Sequence, residues 1–212
     1  MGKNLILLID LDDTLFETKT MGVDPFKELF ESFQKDVSTQ FDNEKVSEIF
    51  KDIWKLPFDQ LARKYRFSSS LIQSFMEQIN NYEFELRIEP YHDYSVIQNF
   101  DARKILVTTG FQKLQLAKIK ALGIHDDFDE VHIDAIDQIP RIDKKMIFKE
   151  MASKHQIPKD QFIVLGDNPN SELKAGHELG FTTIQVRKHG QERTSFAQHC
   201  IEHFEEVHSI LL

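Results

Sequence analysis

Carboxylate and hydroxyl side chains crowd one short stretch near the N-terminus. An apolar run over residues 5–9 ends at a set of polar residues: Asp10, Asp12, Asp13 and Thr14. Neighbouring carboxylates raise one another's pKa and an unpaired buried charge is costly, so a cation is expected beside them. Mg²⁺ fits this role, because it prefers oxygen ligands and keeps positions for water and a substrate phosphate.

Two aspartates separated by one residue can take different chemical roles. An ionised Asp10 can attack phosphorus and form an aspartyl-phosphate, which divides one difficult step into two. Asp12 can protonate the leaving oxygen and then deprotonate the water that clears the intermediate. A buried strand that ends in an acidic, solvated turn explains this stretch equally well, so the choice depends on the rest of the chain.

The elements that hold these residues follow from the apolar pattern. Residues 5–9 show no alternation of apolar and polar positions, which is typical of a strand buried on both faces of a parallel sheet. Further strands are predicted over residues 104–109, 128–134, 161–166 and 181–186, with helical segments between them. This alternation predicts a doubly wound parallel sheet with helices on both faces.

Residues 18–88 lack strand-like alternation. They contain four helical patterns with apolar residues at i, i+3, i+4 and i+7, which predict a small bundle inserted after the first strand. We therefore predict an α/β fold with two parts. Residues 1–17 and 89–212 form a doubly wound, Rossmann-like core domain, and residues 18–88 form a small α-helical domain.

Further candidate site residues stand where the other predicted strands and two helices begin or end. They are Thr108, Thr109, Gly110, Lys144, Lys145, Asp167 and Glu172. In an open α/β sheet, ligands bind outside the carboxyl ends of the strands. Each residue alone has an ordinary structural explanation, but four matching segments with hydroxyls, a cation and carboxylates favour a site for phosphoryl chemistry.

Composition narrows the class of protein. The 212 residues carry a formal net charge of −9, which disfavours binding of a nucleic acid polymer, because no excess of lysine and arginine neutralises phosphates. One cysteine, Cys200, allows no disulfide within the chain. No apolar run approaches the ~18 residues of a membrane span, and no signal peptide is recognised. We expect a cytoplasmic protein without a membrane partner.

The motifs together resemble the haloacid dehalogenase-like (HAD) hydrolase superfamily, in particular its phosphatase branch with a helical type-1 cap. The first motif of that family, Asp-x-Asp-x-Thr, matches residues 10–14, and the second, a strand ending in threonine, matches residues 106–108. The third is a lysine, and the fourth matches Gly166-Asp167 followed by Glu172. The resemblance covers essentially the whole chain.

The resemblance implies a role for each matched residue. The implied catalytic residues are Asp10 as nucleophile, Asp12 as general acid and base, and Thr108 and Lys144 as stabilisers of the phosphate and the intermediate. The implied Mg²⁺ ligands are Asp10, Asp12 through its main-chain carbonyl, Asp167 and Glu172. The implied phosphate-binding residues are Thr14, Thr109 and Gly110. Residues 18–88 would be the cap domain, which closes over the site and excludes water.

Two details of this assignment stay open. Lys144 and Lys145 both match the third motif; the distance along the chain to Asp167 favours Lys144. Glu172 stands where the family more commonly has aspartate, so its longer side chain reaches the metal either directly or through water.

We predict a Mg²⁺-dependent phosphatase that hydrolyses a small phosphorylated metabolite, of the nucleotide or sugar phosphate class, through an aspartyl-phosphate. Asp12 favours attack on phosphorus, because the dehalogenases of this family attack carbon and usually lack the second aspartate. A phosphomutase with the same chemistry is the nearest alternative, and a non-catalytic regulator on the same fold is another. The sequence identifies neither the substrate nor the oligomeric state.

Overall fold

A buried sheet brings together the strand ends that the sequence singles out. The computed structural model describes residues 4–53, 56–188 and 190–211. Six strands in these residues form one sheet: β1 (Ile6–Ile9), β2 (Arg103–Gly110), β3 (Glu130–Ala135), β4 (Phe162–Gly166), β5 (Thr182–Val186) and β6 (His199–Ile201). All pairs are parallel, in the order β3-β2-β1-β4-β5-β6. The predicted α/β fold with a doubly wound parallel sheet is confirmed.

β1 lies at the centre of the sheet because it is apolar on both faces. Leu7 and Ile9 belong to one core cluster, and Ile6 and Leu8 to another on the opposite face. β1 pairs with β2 on one side and with β4 on the other. The chain adds β2 and β3 on the first side before it returns to β4 on the second, and ligands in open α/β sheets bind at such a reversal.

Helices cover both faces of the sheet. Within the described residues, four more helices, inserted in the chain between β1 and β2, form a separate layer. The α-helices in these residues are α1 (Lys27–Ser38), α2 (Asn43–Asp52), α3 (Phe58–Tyr65), α4 (Ser69–Asn81), α5 (Tyr94–Gln98), α6 (Gln112–Leu122), α7 (Lys144–His155), α8 (Glu172–Leu179) and α9 (Glu206–Leu211). Gly123 and Gly180 end α6 and α8 in the left-handed conformation, as their positions predict. Among these helices, none combines the length and the apolar composition needed to cross a membrane.

The inserted helices α1 to α4 pack through phenylalanine rings. The ring centroids of Phe33 and Phe75 lie 4.3 Å apart, and those of Phe58 and Phe75 lie 4.5 Å apart. Phe58 also lies 5.5 Å from Phe111, which precedes α6. The first two tilted pairs add to the packing within the inserted helices, and the third packs these helices against the start of α6. The domain boundaries at residues 18 and 88 stay a prediction.

Candidate active site

The carboxyl ends of four strands open into a cleft of about 660 Å³. Asp10 follows β1, Thr109 lies near the end of β2, Asp134 lies in β3, and Asp167 follows β4. The inserted layer contributes three further residues to the lining: Leu56, Pro57 and Gln60. The cleft therefore lies between the sheet edge and the inserted helices.

Lys144 joins two carboxylates in this cleft. Its Nζ donates a hydrogen bond to Asp10 Oδ1 at 2.6 Å and another to Glu172 Oε2 at 2.8 Å. All three residues are buried. Asp143 caps α7 by accepting from the backbone N–H of Met146 at 2.8 Å, which fixes the start of the helix and places Lys144 in its first turn.

The neighbouring Lys145 points elsewhere. Its ammonium pairs with Glu178 of α8 at the surface, where the Lys145 side chain is 41% exposed. Of the two lysines that the sequence leaves open, Lys144 is the one that lies against Asp10. Lys145 offers a matched control for substitutions of Lys144.

The charges in the cleft are unevenly balanced. Burial raises the pKa of Asp10 above its usual range, and the ammonium of Lys144 opposes that rise. Burial works against the charge of Lys144, but the carboxylates of Asp10 and Glu172 outweigh it and raise the pKa of Lys144. Burial, together with the nearby charge of Asp10, raises the pKa of Asp167 to about 8. In their ionised forms, the three carboxylates of Asp10, Asp167 and Glu172 would carry more negative charge than Lys144 compensates.

Glu172 reaches the cleft because a glycine leaves room for it. A Cβ atom added to Gly166 would lie 2.3 Å from the Cγ atom of Glu172. One carboxylate oxygen of Glu172 accepts from Lys144, and the other accepts from the backbone N–H of Asn168 at 2.7 Å. Glu172 thus holds Lys144 and the loop after β4 in place.

The carboxylates form a donor set that fits a hard divalent cation. Oxygen atoms of Asp10, Asp167 and Glu172 all lie within 4.8 Å of one another. Three oxygen donors of this kind match Mg²⁺ better than a transition metal that prefers nitrogen or sulfur ligands. The raised pKa of Asp167 indicates that a further positive charge would stabilise the ionised site.

Asp12 has two partners on α6 that the sequence analysis missed. Lys118 Nζ donates to Asp12 Oδ1 at 2.7 Å, and Gln115 Nε2 donates to Asp12 Oδ2 at 2.8 Å. Lys118 and Gln115 are both buried, and they lie three residues apart on the inward face of the helix. These two hydrogen bonds fix the orientation of the Asp12 side chain.

Two of the threonines that the sequence assigns to the site, Thr14 and Thr108, are completely buried. The Thr14 hydroxyl donates to Asp10 Oδ2 at 3.4 Å, which orients the predicted nucleophile. The Thr108 hydroxyl accepts from Gln115 Nε2 at 2.5 Å. In this arrangement both hydroxyls contact residues of the site rather than the open cleft.

Thr109 lines the cleft, and Gly110 lies just beyond it. The Thr109 hydroxyl donates to Asp134 Oδ2 at 3.1 Å. Gly110 lies against Gln115, where a Cβ atom would come within 3.0 Å of that side chain. Of these two predicted phosphate-binding residues, Thr109 therefore lies in the cleft and Gly110 lies beside it.

Arg141 connects the sheet to the inserted helices, and the sequence analysis did not identify it. It donates to Asp134 Oδ1 at 2.5 Å and Oδ2 at 3.0 Å, and also to Asp59 Oδ2 of α3 at 2.9 Å. The carboxylate of Asp134 raises the pKa of Arg141, so the guanidinium stays charged. This ion-pair chain holds α3 at the rim of the cleft.

The sequence of this chain is similar to a known protein family and to two named enzymes. A family model described as haloacid dehalogenase-like hydrolase matches residues 7–186. The chain is 24% identical over 197 residues to a glyceraldehyde 3-phosphate phosphatase of Methanocaldococcus jannaschii, covering 86% of this chain and 84% of that protein. It is 21% identical over 196 residues to the protein of the same name from Methanopyrus kandleri, covering 86% and 83%.

Solved structures share the fold. A HAD phosphatase from Thermococcus onnurineus superposes with a TM-score of 0.66 at 16% identity, covering 100% of this chain and 98% of that one. The HAD-hydrolase YfnB from Bacillus subtilis, solved with magnesium, gives 0.64 at 16% identity and covers 99% of both chains. An L-2-haloacid dehalogenase from Xanthobacter autotrophicus gives 0.57 at 13% identity, covering 99% and 98%. Phosphatases and dehalogenases both have this fold, so the choice between them depends on the site residues.

Proposed function

Since this chain belongs to the haloacid dehalogenase-like hydrolase family, we propose that it is a Mg²⁺-dependent phosphatase of small phosphorylated metabolites that works through an aspartyl-phosphate. The similarity to two phosphatases agrees with the prediction, made from the sequence, that this chain is a phosphoric monoester hydrolase. The observation that carries the proposal is the pairing of two aspartates with separate cations. The Asp10 carboxylate forms an ion pair with Lys144, and the carboxylate of Asp12, two residues later, forms one with Lys118.

In the first step, Asp10 attacks the phosphorus atom of the ester. The bond between phosphorus and the leaving oxygen breaks, and Asp12 donates a proton to that oxygen as the alcohol departs. Lys144, held by Glu172, stabilises negative charge on the transferring group beside Asp10.

In the second step, Asp12 acts as the general base. It removes a proton from a water molecule, which attacks the phosphorus of the aspartyl-phosphate and releases inorganic phosphate and the free carboxylate of Asp10. Lys118 and Gln115 each donate a hydrogen bond to one carboxylate oxygen of Asp12 and so fix its orientation for this step. The two steps therefore return both aspartates to their starting states.

Asp10, Asp167 and Glu172, with the main-chain carbonyl of Asp12, would hold Mg²⁺, with Glu172 acting directly or through water. When bound, the ion would offset the charge of the carboxylates and of the substrate phosphate. A cytoplasmic location and the absence of nucleic acid or membrane partners remain predictions from the sequence.

Phosphate release tests the proposal. Glyceraldehyde 3-phosphate, ribose 5-phosphate and a nucleoside monophosphate are each incubated with the protein, with and without Mg²⁺. A phosphatase releases inorganic phosphate in a metal-dependent manner. Conversion of a phosphorylated substrate to an isomer without phosphate release would instead identify a phosphomutase, and no reaction by a folded, Mg²⁺-binding protein would favour a regulator.

We predict that the affinity for Mg²⁺ rises with pH up to about 8. The metal-free carboxyl of Asp167 has its pKa raised to about 8, so below that pH it holds a proton that Mg²⁺ must displace. Each unit of pH below this value should therefore weaken binding by up to about tenfold. Calorimetric titration of Mg²⁺ at pH 6 and pH 8 measures the difference, and equal affinities at the two pH values would contradict the prediction.

We predict that Lys118→Met slows turnover by about 10²-fold, because Asp12 loses the donor that orients its carboxylate for proton transfer. The second step should be affected most, so aspartyl-phosphate should accumulate. Lys120→Met, an exposed position on the same helix, is the matched control. Equal rates for the two variants would show that Lys118 has no part in the reaction.

A further inference from the structure

A second cavity lies beside the cleft. It has a volume of about 320 Å³ and runs between the inserted helices and the sheet-bearing part. Asp12, Asp13 and Thr109 line both the cleft and this cavity, so the two spaces meet at the proposed general acid. A group attached to the leaving oxygen of a substrate can therefore enter the cavity from the reaction centre.

The wall of this cavity is mainly apolar. Most of its lining residues are aromatic or aliphatic, among them Phe26, Leu29, Phe30, Phe84, Leu114 and Ile136. The rings of Phe26 and Phe30 are stacked with centroids 5.7 Å apart, and Phe84 lies 5.9 Å from Phe26. Phe30 and Phe84 are partly exposed, so their rings offer surface to a ligand.

Most polar groups of the cavity already have partners, but the buried Oε1 atom of Gln115 has none among the described residues. The Lys118 ammonium and the Gln115 amide both donate to Asp12, and the backbone N–H of Thr18 donates to Asp13 at 2.8 Å. Gln115 Oε1 can accept from one hydroxyl, but the other hydroxyls of a hydroxyl-rich leaving group would be buried against the phenylalanine wall without partners, which costs free energy. An aromatic ring would replace water there and contact the rings favourably.

We propose that this cavity binds an aromatic group carried by the leaving alcohol. The preferred substrates are then phosphate monoesters of ring-bearing alcohols, nucleoside monophosphates included, rather than short hydroxylated esters such as glyceraldehyde 3-phosphate. This proposal rests on the proposed phosphatase function, which supplies the position of the leaving oxygen.

The test uses esters that differ only in the ring. 2-Phenylethyl phosphate is compared with ethyl phosphate, and adenosine 5′-monophosphate with ribose 5-phosphate. Both members of each pair release a primary alcohol, so a difference in kcat/KM reports binding of the ring. We expect kcat/KM to be at least about tenfold higher for the ring-bearing member of each pair.

Substitutions on α6 locate the effect. Leu114→Trp fills the cavity and Leu114→Gln makes its wall polar, and either change should lower the ratio of kcat/KM for 2-phenylethyl phosphate over ethyl phosphate. Leu116→Trp and Leu116→Gln are the matched controls, because Leu116 is 45% exposed on the same helix. The controls should leave the ratio unchanged.

Binding of non-hydrolysable phosphonates separates this proposal from the proposed function. Tighter binding of 2-phenylethylphosphonate than of ethylphosphonate supports the aromatic site even if no ester is hydrolysed, in which case the phosphatase function fails alone. Hydrolysis of all the esters with ratios near one, together with equal phosphonate affinities, overturns the aromatic site and leaves the phosphatase function standing. Binding of neither phosphonate also overturns the aromatic site.

Discussion

Asp10→Asn should abolish phosphate release, with kcat reduced by about 10⁴-fold or more. The amide has the same shape as the carboxylate but no nucleophilic oxygen charge, so the covalent step cannot begin. The variant should still fold, because Lys144 keeps its hydrogen bond to Glu172 at 2.8 Å. The measurement is single-turnover phosphate release at saturating Mg²⁺ and substrate.

Asp101→Asn is the control for this substitution, since Asp101 is exposed just before β2, at the end of the strand opposite the cleft. It should retain the rate of the unmodified protein. Substantial phosphate release by Asp10→Asn would mean that another group attacks phosphorus, and the roles of Asp10 and Lys144 would both have to be revised.

Lys144→Met should impair both catalysis and stability. Methionine fills similar volume but leaves Asp10 and Glu172 buried without the ammonium that joins them. Loss of one partner from a buried ion pair costs about 3–5 kcal/mol of unfolding free energy, and loss of one stabilising donor lowers kcat by about 10²–10³-fold. Urea denaturation without metal measures the first effect, and steady-state turnover the second.

The loss of stability should be larger at pH 8 than at pH 5.5. Burial already raises the pKa of Asp10, and removal of the lysine that opposes this rise would raise it further. A carboxyl whose folded-state pKa exceeds its unfolded value binds more protons when folded, so the unfolding free energy falls as pH rises between the two values. Lys145→Met, at the exposed neighbouring position, should show neither effect, and equal destabilisation of the two variants would contradict the account.

The sequence predicts the central strands well, because a strand that is buried on both faces is a continuous run of apolar residues. β1 is a continuous apolar run, and its two faces are covered by separate core clusters. β6 was not predicted. It has only three residues, His199–Ile201, of which one is buried, so no alternation is long enough to be recognised.

The acidic half of the site was also predictable, because its residues directly follow strands. Asp10 and Asp167 come immediately after buried runs, and parallel strands bring such positions to one edge. Gln115 and Lys118 were missed because they lie within a helix, where long polar side chains usually face water. Their signal is their spacing: with Ile119 and Leu122 they complete the inward stripe of α6, so two polar residues stand where apolar ones are expected.

Arg141 could not be found from the sequence by this argument. It lies in the connection between β3 and α7, where no periodicity restricts its direction, and its partner Asp59 is 82 residues away in the chain. Contacts of that kind depend on how the inserted helices pack on the sheet, which the local pattern does not encode.

The most direct test of the central claim is to trap the covalent intermediate. The protein is mixed with substrate and Mg²⁺, quenched within one turnover, and treated with borohydride, which reduces an aspartyl-phosphate to homoserine that mass spectrometry can locate. The account predicts homoserine at position 10, in the presence of substrate only, with more of it in Lys118→Met. Rapid turnover with no modified residue, or with a modified residue elsewhere, would contradict the claim that Asp10 is the nucleophile.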